Sequence, residues 1–237
     1  MPRGRVDAQP AYVLHTRPYR ETSLLVEAFS RDYGRVALLA RGARRPHSTL
    51  RGLIMAFQPL ELSWSGKGEV LTLMKAEWQG GQPLLSGQML FCGYYLNELL
   101  LRLLPREDAH PKLFLHYRNI LLRLGEAADQ QEMAESGLRS FERALLSELG
   151  YGLTLDRDYQ GQPIAAAAQY YYEIERGPVF AAQRDAARPT LLGQSLLDMA
   201  CDDYANAVTR SEAKQLMRRL LAYYLDGAEL HTRMLFI

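Results

Sequence analysis

The chain has 237 residues, of which 48% are hydrophobic and 23% charged, with 28 Lys+Arg against 27 Asp+Glu for a formal net charge of +1. This is ordinary globular composition and excludes a disordered or fibrous chain. The neutral total hides an asymmetry across the Gly80-Gly81-Gln82-Pro83 break. Residues 1–82 carry 12 basic and 7 acidic residues, a balance of +5, and residues 83–237 carry 16 and 20, a balance of −4. Oppositely charged halves point to a polyanionic partner for the basic one.

The first 80 residues contain five short apolar runs, at 11–15, 22–29, 35–40, 57–64 and 69–76. Turn-type residues bound them: Arg17-Pro18, Asp32-Tyr33-Gly34, Arg41-Gly42 and Ser65-Gly66-Lys67-Gly68. Between the third and fourth runs, Ser48 or Thr49 is placed to cap one or two helical turns reaching Met55. Five strands with a helix between the third and fourth is the layout of an OB-fold barrel. An SH3-like barrel gives nearly the same string, and spacing alone leaves both open.

From Leu84 the period becomes helical. Leu84–Leu104 is helix-length, with Glu98 and Arg102 as an i,i+4 pair and Pro105 as its stop. Its charges argue for a buried core helix rather than a membrane span. Pro111–Leu124 is a second helix, and a third carries Leu138, Phe141, Leu145 and Leu149 before Gly150. Tyr170–Ala181 alternates as a hairpin turning at Gly177-Pro178. Ser211–Leu225 is the best-defined helix, with Ser211 as its expected N-cap and Gly227 beyond its end. The expected class is therefore α+β multidomain: an N-terminal OB-fold β-barrel over 1–81, then an α-helical domain with a small β-hairpin over 82–237.

Motifs for catalysis are missing. Cys92 and Cys201 form no CxxC, which suits a reducing, cytoplasmic home, and the five histidines show no zinc-binding spacing. Gly66-Lys67-Gly68 is too short for a phosphate-binding loop and suits a hairpin turn. No signal peptide is expected, and no enzyme.

The informative stretch is Tyr33–Leu60. It holds Arg35, Arg41, Arg44, Arg45 and Arg51 with no acid between Asp32 and Glu61. Arginine offers planar, multi-donor contact to phosphate, and Arg17, Arg20, Lys67 and Lys75 are candidates for the same surface. Tyr12, Tyr19, Phe29, Tyr33, Phe57 and Trp64 are interleaved. Some are candidates for stacking on bases, while Phe29 and Phe57 sit at core-type positions. A second candidate lies on the third helix, where Arg139 and Arg143 flank Leu138 and Phe141. Such a group suits a peptide ending in an aromatic residue and a carboxylate, although spacing alone favours neutralisation by Glu135 or Glu142. Arg210, Lys214 and Arg218 form a further basic stripe at i, i+4, i+8, ordinarily a solvated face and a candidate second DNA contact.

Four segments resemble the bacterial recombination mediator family RecO: RPYRETSLLVEAFSRDYGRVALLARGARRPHSTLRG, GKGEVLTLMKAE, YYLNELLLRLLPREDAHPKLF and LRSFERALLSELGYGL. They follow the family's order over most of residues 11–155, and the chain beyond 155 matches only loosely. The resemblance implies an OB domain followed by a helical domain, and a non-enzymatic protein that binds and anneals single- and double-stranded DNA. It implies action with RecR, and in some lineages RecF, to load RecA onto strands coated by single-stranded DNA-binding protein (SSB). Carried over, Arg17, Arg20, Arg35, Arg41, Arg44, Arg45, Arg51 and Lys67 become the DNA-facing set. Arg139, with Leu138, Phe141 and Arg143, becomes the receiver of the acidic SSB tail. Many relatives carry a four-cysteine zinc site after the LGY segment. Leu153–Gln169 has neither Cys nor His, so no zinc is expected here. The alternative reading is an OB-fold adaptor that binds RNA or an acidic protein without annealing.

Overall fold

The computed structural model describes residues 4–126, 131–181 and 189–232. The chain divides into two compact units, one of residues 1–130 with 230–237, the other of residues 131–229.

The first unit opens with β1 (Val6–Tyr19), β2 (Ser23–Ser30), β3 (Gly34–Ala40), β4 (Pro59–Ser65) and β5 (Val70–Trp78), closed as a barrel in the order β1-β2-β3-β5-β4. β1 pairs antiparallel with both β2 and β4, and β3 runs parallel to β5 through Leu39↔Thr72. This Greek-key order is that of an OB barrel and resolves the choice the sequence left open. Val26, Ala28, Val36, Leu38, Leu60, Leu62 and Trp64 alternate inward and fill the interior. β1 begins five residues before the apolar run that signals it. Its polar start pairs by backbone, Val6↔Trp64, across a register shift that ends at Gln9↔Leu62.

The helix expected between the third and fourth strands does not form. Residues 41–54 make successive turns, bonded mainly at i+3 steps from Ser48 to Arg45, Arg51 to Ser48 and Leu53 to Leu50. The Ser48 Oγ accepts from the Leu50 N–H, Pro46 interrupts, and Gly52 takes φ +86°, so no i+4 ladder propagates. The loop still does the helix's packing work: Ala43 is buried in the barrel core, and Leu50 and Ile54 pack against it.

α1 (Gly87–Leu103) and α2 (Pro111–Glu126) complete this unit. Their buried faces cover the outside of β1 and β2. Tyr12 and Phe29 each meet Phe114 at 5.5 Å, and Tyr12 meets Tyr117 at 5.2 Å. Asn97 Nδ2 donates to the Leu14 carbonyl at 2.8 Å and its Oδ1 accepts from the Tyr117 hydroxyl, so this buried amide links strand to both helices. Burial pushes the Tyr12 phenol up to about 12.

The second unit holds α3 (Gln131–Glu148), a three-stranded sheet of β6 (Gln169–Glu173), β7 (Gly177–Phe180) and β8 (Leu191–Leu192), then α4 (Gly193–Ala200) and α5 (Ala207–Tyr224). The hairpin turns over residues 174–176, with Glu175 at φ +67°, and Gly177 opens the second strand rather than forming the turn. The expected start of α5 at Ser211 is also corrected. Asn206 caps it by accepting from the Val208 N–H at 2.8 Å. Before β6, Asp158 Oδ1 accepts from the Gln160 and Gln162 amides, and Arg176 lies 3.9 Å from the Tyr159 ring centre. These contacts tie the turn to the sheet.

Candidate nucleic-acid interface

Five of the expected arginines gather by topology at one end of the barrel. Arg17 lies near the end of β1, Arg20 in the β1–β2 turn, and Arg41, Arg45 and Arg51 on the loop leaving β3. The pairings Pro18↔Leu24 and Leu24↔Ala40 set these three segments side by side. All five side chains are exposed, and none is in an ion pair among the described residues. Arg44 organises the group. Its backbone N–H donates to the Thr22 carbonyl at 2.8 Å, and its Nη1 donates to the Glu21 carbonyl at 3.2 Å, pinning the loop onto the turn. Beside it lies a hollow of about 370 Å³ lined by Leu24, Ala43, Leu50 and Arg51. Five solvated guanidiniums on a pinned backbone make a multi-donor anion surface.

Two expected members are elsewhere. Arg35 Nη1 donates to the Leu101 carbonyl at 2.6 Å, and the Arg35 carbonyl accepts from the Glu107 N–H at 3.0 Å. Burial pulls the guanidinium below its ordinary value, against the attraction of Glu27. Its charge thus serves the packing of the α1 end, where Arg106 also pairs with Glu27. Lys67 lies in the β4–β5 turn, at the opposite end of β3 from Arg41. Lys75 pairs with Glu77 at 2.8 Å.

The aromatic candidates are mostly closed off. Tyr12, Phe29, Phe57 and Trp64 are buried, and Tyr33 is half-buried against Trp64. Only Tyr19 stands exposed, with the Arg20 guanidinium 5.4 Å from its ring centre. The β2–β3 face that OB folds commonly offer to nucleic acid is covered here, by Phe114 and Tyr117 over Phe29 and by Arg106 on Glu27.

On α3, Arg139 and Glu142 form an ion pair at 2.6 Å, and Arg143 pairs with Asp202 at 2.9 Å. Leu138 and Phe141 are buried, so the stripe is closed core and not an open apolar pocket. Of this group, Arg143 reaches solvent most. The basic stripe on α5 is largely neutralised as well. Arg210 bonds Glu132 at 2.9 Å and Lys214 bonds Glu135 at 3.0 Å, which leaves Arg218 exposed.

Two family models match this chain and together span nearly all of it: Recombination protein O N terminal over residues 6–81, and Recombination protein O C terminal over residues 84–234. The chain belongs to the RecO family. Among its relatives, DNA repair protein RecO of Dechloromonas aromatica is 61% identical over 99% of this chain and 96% of its own length. The RecO proteins of Aromatoleum aromaticum and Azoarcus sp. are 56% and 54% identical, each over 97% of this chain and 94% of their own.

In this RecO chain the four motif segments fall on β1–β3 with the arginine loop, on β5, on α1–α2 and on α3. Among the described residues, no helix is long and apolar enough to cross a membrane, and no group of three or more His, Cys, Asp or Glu is placed to hold a metal ion. One surface residue was missed from the sequence. Trp78, the last residue of β5, is 58% exposed, while Trp64 is 2% exposed. Trp78 continues the inward register of Ala76, opposite Leu60, but stands at the last position of β5 beside the Gly80-Gly81 break, and that terminal position was the available signal.

Proposed function

We propose that this RecO protein acts in DNA repair as a non-catalytic mediator that binds DNA through the arginine end of its barrel and anneals complementary strands. The observation that carries this reading is the gathering of five solvated arginines at one end of the barrel, while Tyr12, Phe29, Phe57 and Trp64 of the interleaved aromatics are buried and offer no stacking row. Annealing needs two repelling backbones neutralised while base edges stay free to pair. A phosphate-directed surface does this, whereas a row of stacked bases would hold the edges away from a complement.

The finer partners follow from the family. The protein would meet SSB-coated single strands, receive the acidic SSB tail on α3 around Arg139 and Arg143, and work with RecR, and in some lineages RecF, to bring RecA onto the strand. Arg143 supports the tail contact best, because its pair with Asp202 is partly solvated and exchangeable.

The test is a strand-annealing assay on complementary oligonucleotides, naked and SSB-coated. Acceleration on both substrates is the expected result. An adaptor for RNA or for an acidic protein would accelerate neither, and that outcome would overturn the proposal.

A further inference from the structure

Trp78 lies outside the barrel core and outside every contact so far assigned. Its exposure is unusual for a tryptophan in a closed barrel, and three observations show that the ring is held rather than loose. The indole N–H donates to Gln58 Oε1 at 3.1 Å. The backbone of Gly80, at φ +69°, packs close to the six-membered ring, since a Cβ there would lie 3.8 Å from it. Leu60↔Trp78 pairing fixes the strand beneath.

The register also says which end of the barrel it occupies. β3 and β5 are parallel, with Leu39 level with Thr72, so Arg41 is level with Met74 and β5 runs on past the end of β3 to Trp78. Gln58, the residue that orients the indole, closes the same loop that carries Arg41, Arg45 and Arg51. An exposed, oriented indole thus stands at the basic end, at the close of its arginine loop.

We propose that Trp78 is a base-stacking platform that receives one unpaired base of the strand whose phosphates lie on the arginine loop. The inference rests on the DNA-binding reading above and deepens it. Stacking is indifferent to sequence because every base has a π-face. A single platform anchors the strand at one point and leaves the remaining bases free, which is compatible with annealing. An indole also signals its own occupancy: Trp64 and Trp78 are the only tryptophans, and Trp64 is sealed in the core.

The experiment uses the full chain, with an end-labelled oligo(dT) strand and an abasic strand of equal length and charge. Binding is followed by anisotropy and stacking by intrinsic tryptophan fluorescence. The expected result is quenching by oligo(dT) and none by the abasic strand, with the quenching lost in Trp78→Phe. Trp78→Ala should lose about tenfold in affinity for oligo(dT) and little for the abasic strand, and Trp78→Phe should recover part of that loss. If oligo(dT) binds with unchanged fluorescence and Trp78→Ala binds it as tightly as the parent, the platform is overturned and the exposed indole is better read as a protein-docking residue. If the parent protein binds neither strand, the DNA-binding reading fails first and this one with it.

Discussion

Arg139 and Glu142 sit three residues apart on α3 and form an ion pair with side chains only 9% and 0% exposed. Removing one partner leaves the other charged and buried, which costs several kcal/mol, whereas replacing both by apolar residues of similar volume is close to neutral. Arg139→Ala should therefore destabilise the protein by about 3–5 kcal/mol in urea unfolding. Arg139→Met combined with Glu142→Leu should recover most of that loss. If the single variant is as stable as the parent, the pair does not hold this helix.

The same pair decides how tail binding must be tested. Loss of peptide binding in Arg139→Ala would mix a lost contact with a loosened helix. Arg143→Ala breaks a partly solvated pair with Asp202, along with a contact to the Tyr204 hydroxyl, and should cost less stability than Arg139→Ala. It should weaken binding of an acidic peptide ending in an aromatic residue and a carboxylate, measured by calorimetry, while leaving annealing of naked strands intact. Unchanged peptide affinity would remove α3 as the receiving surface.

The arginine end has a salt signature. Neutralising about five single-strand phosphates gives a slope of roughly −3.5 in log affinity against log salt. Arg45→Ala with Arg51→Ala should flatten this to roughly −2. Arg35→Ala should leave the slope alone and lower stability instead, because its guanidinium is spent on the Leu101 carbonyl. Equal flattening by Arg35→Ala would return that residue to the DNA surface.

Gly34 tests the seam between the barrel and the link that precedes α2. At φ +64° its position disfavours any side chain, and a Cβ would fall 1.8 Å from the Asp108 carbonyl oxygen. Gly34→Ala should cost at least about 3 kcal/mol. A thermal midpoint close to the parent's would show that the link can move aside.

Glu98 gives a pH dependence. Burial raises its pKa, but hydrogen bonds from the Thr232 backbone and hydroxyl, the His231 backbone and the Arg102 guanidinium outweigh this and hold it below its ordinary 4.5. A depressed carboxyl pKa contributes stability that is full above the unfolded value and is lost as pH falls through the folded one. Glu98→Gln should thus be weaker by about 2 kcal/mol at pH 7, and its deficit should shrink as the pH drops below 4.5. A deficit independent of pH would assign the loss to packing.

The strands and long helices were legible because their apolar residues recur at periods of two and of three to four. What escaped was held by backbone or by single polar contacts. The start of β1, Val-Asp-Ala-Gln-Pro, has no alternation to read and pairs through its backbone with β4. The first turn of α5 carries an exposed Val208 and no stripe, so the apolar pattern points to Ser211 and not to Asn206. β8 and α4 were too short to announce themselves. At the site, the arginines were visible as a cluster, but which of them faced water was not. Arg35 and Arg41 read alike in the sequence and differ only in whether α1 ends beside them.

The apolar outer face of β1 and β2 has a practical corollary. A fragment cut at residue 81 would contain the entire barrel yet present Tyr12, Leu14 and Phe29 to solvent, together with a Leu14 carbonyl stripped of its Asn97 donor. Such a piece should self-associate on expression. A fragment that runs through Glu126, where the covering helices end, keeps that face covered and gives up the His231 and Thr232 contacts to Glu98.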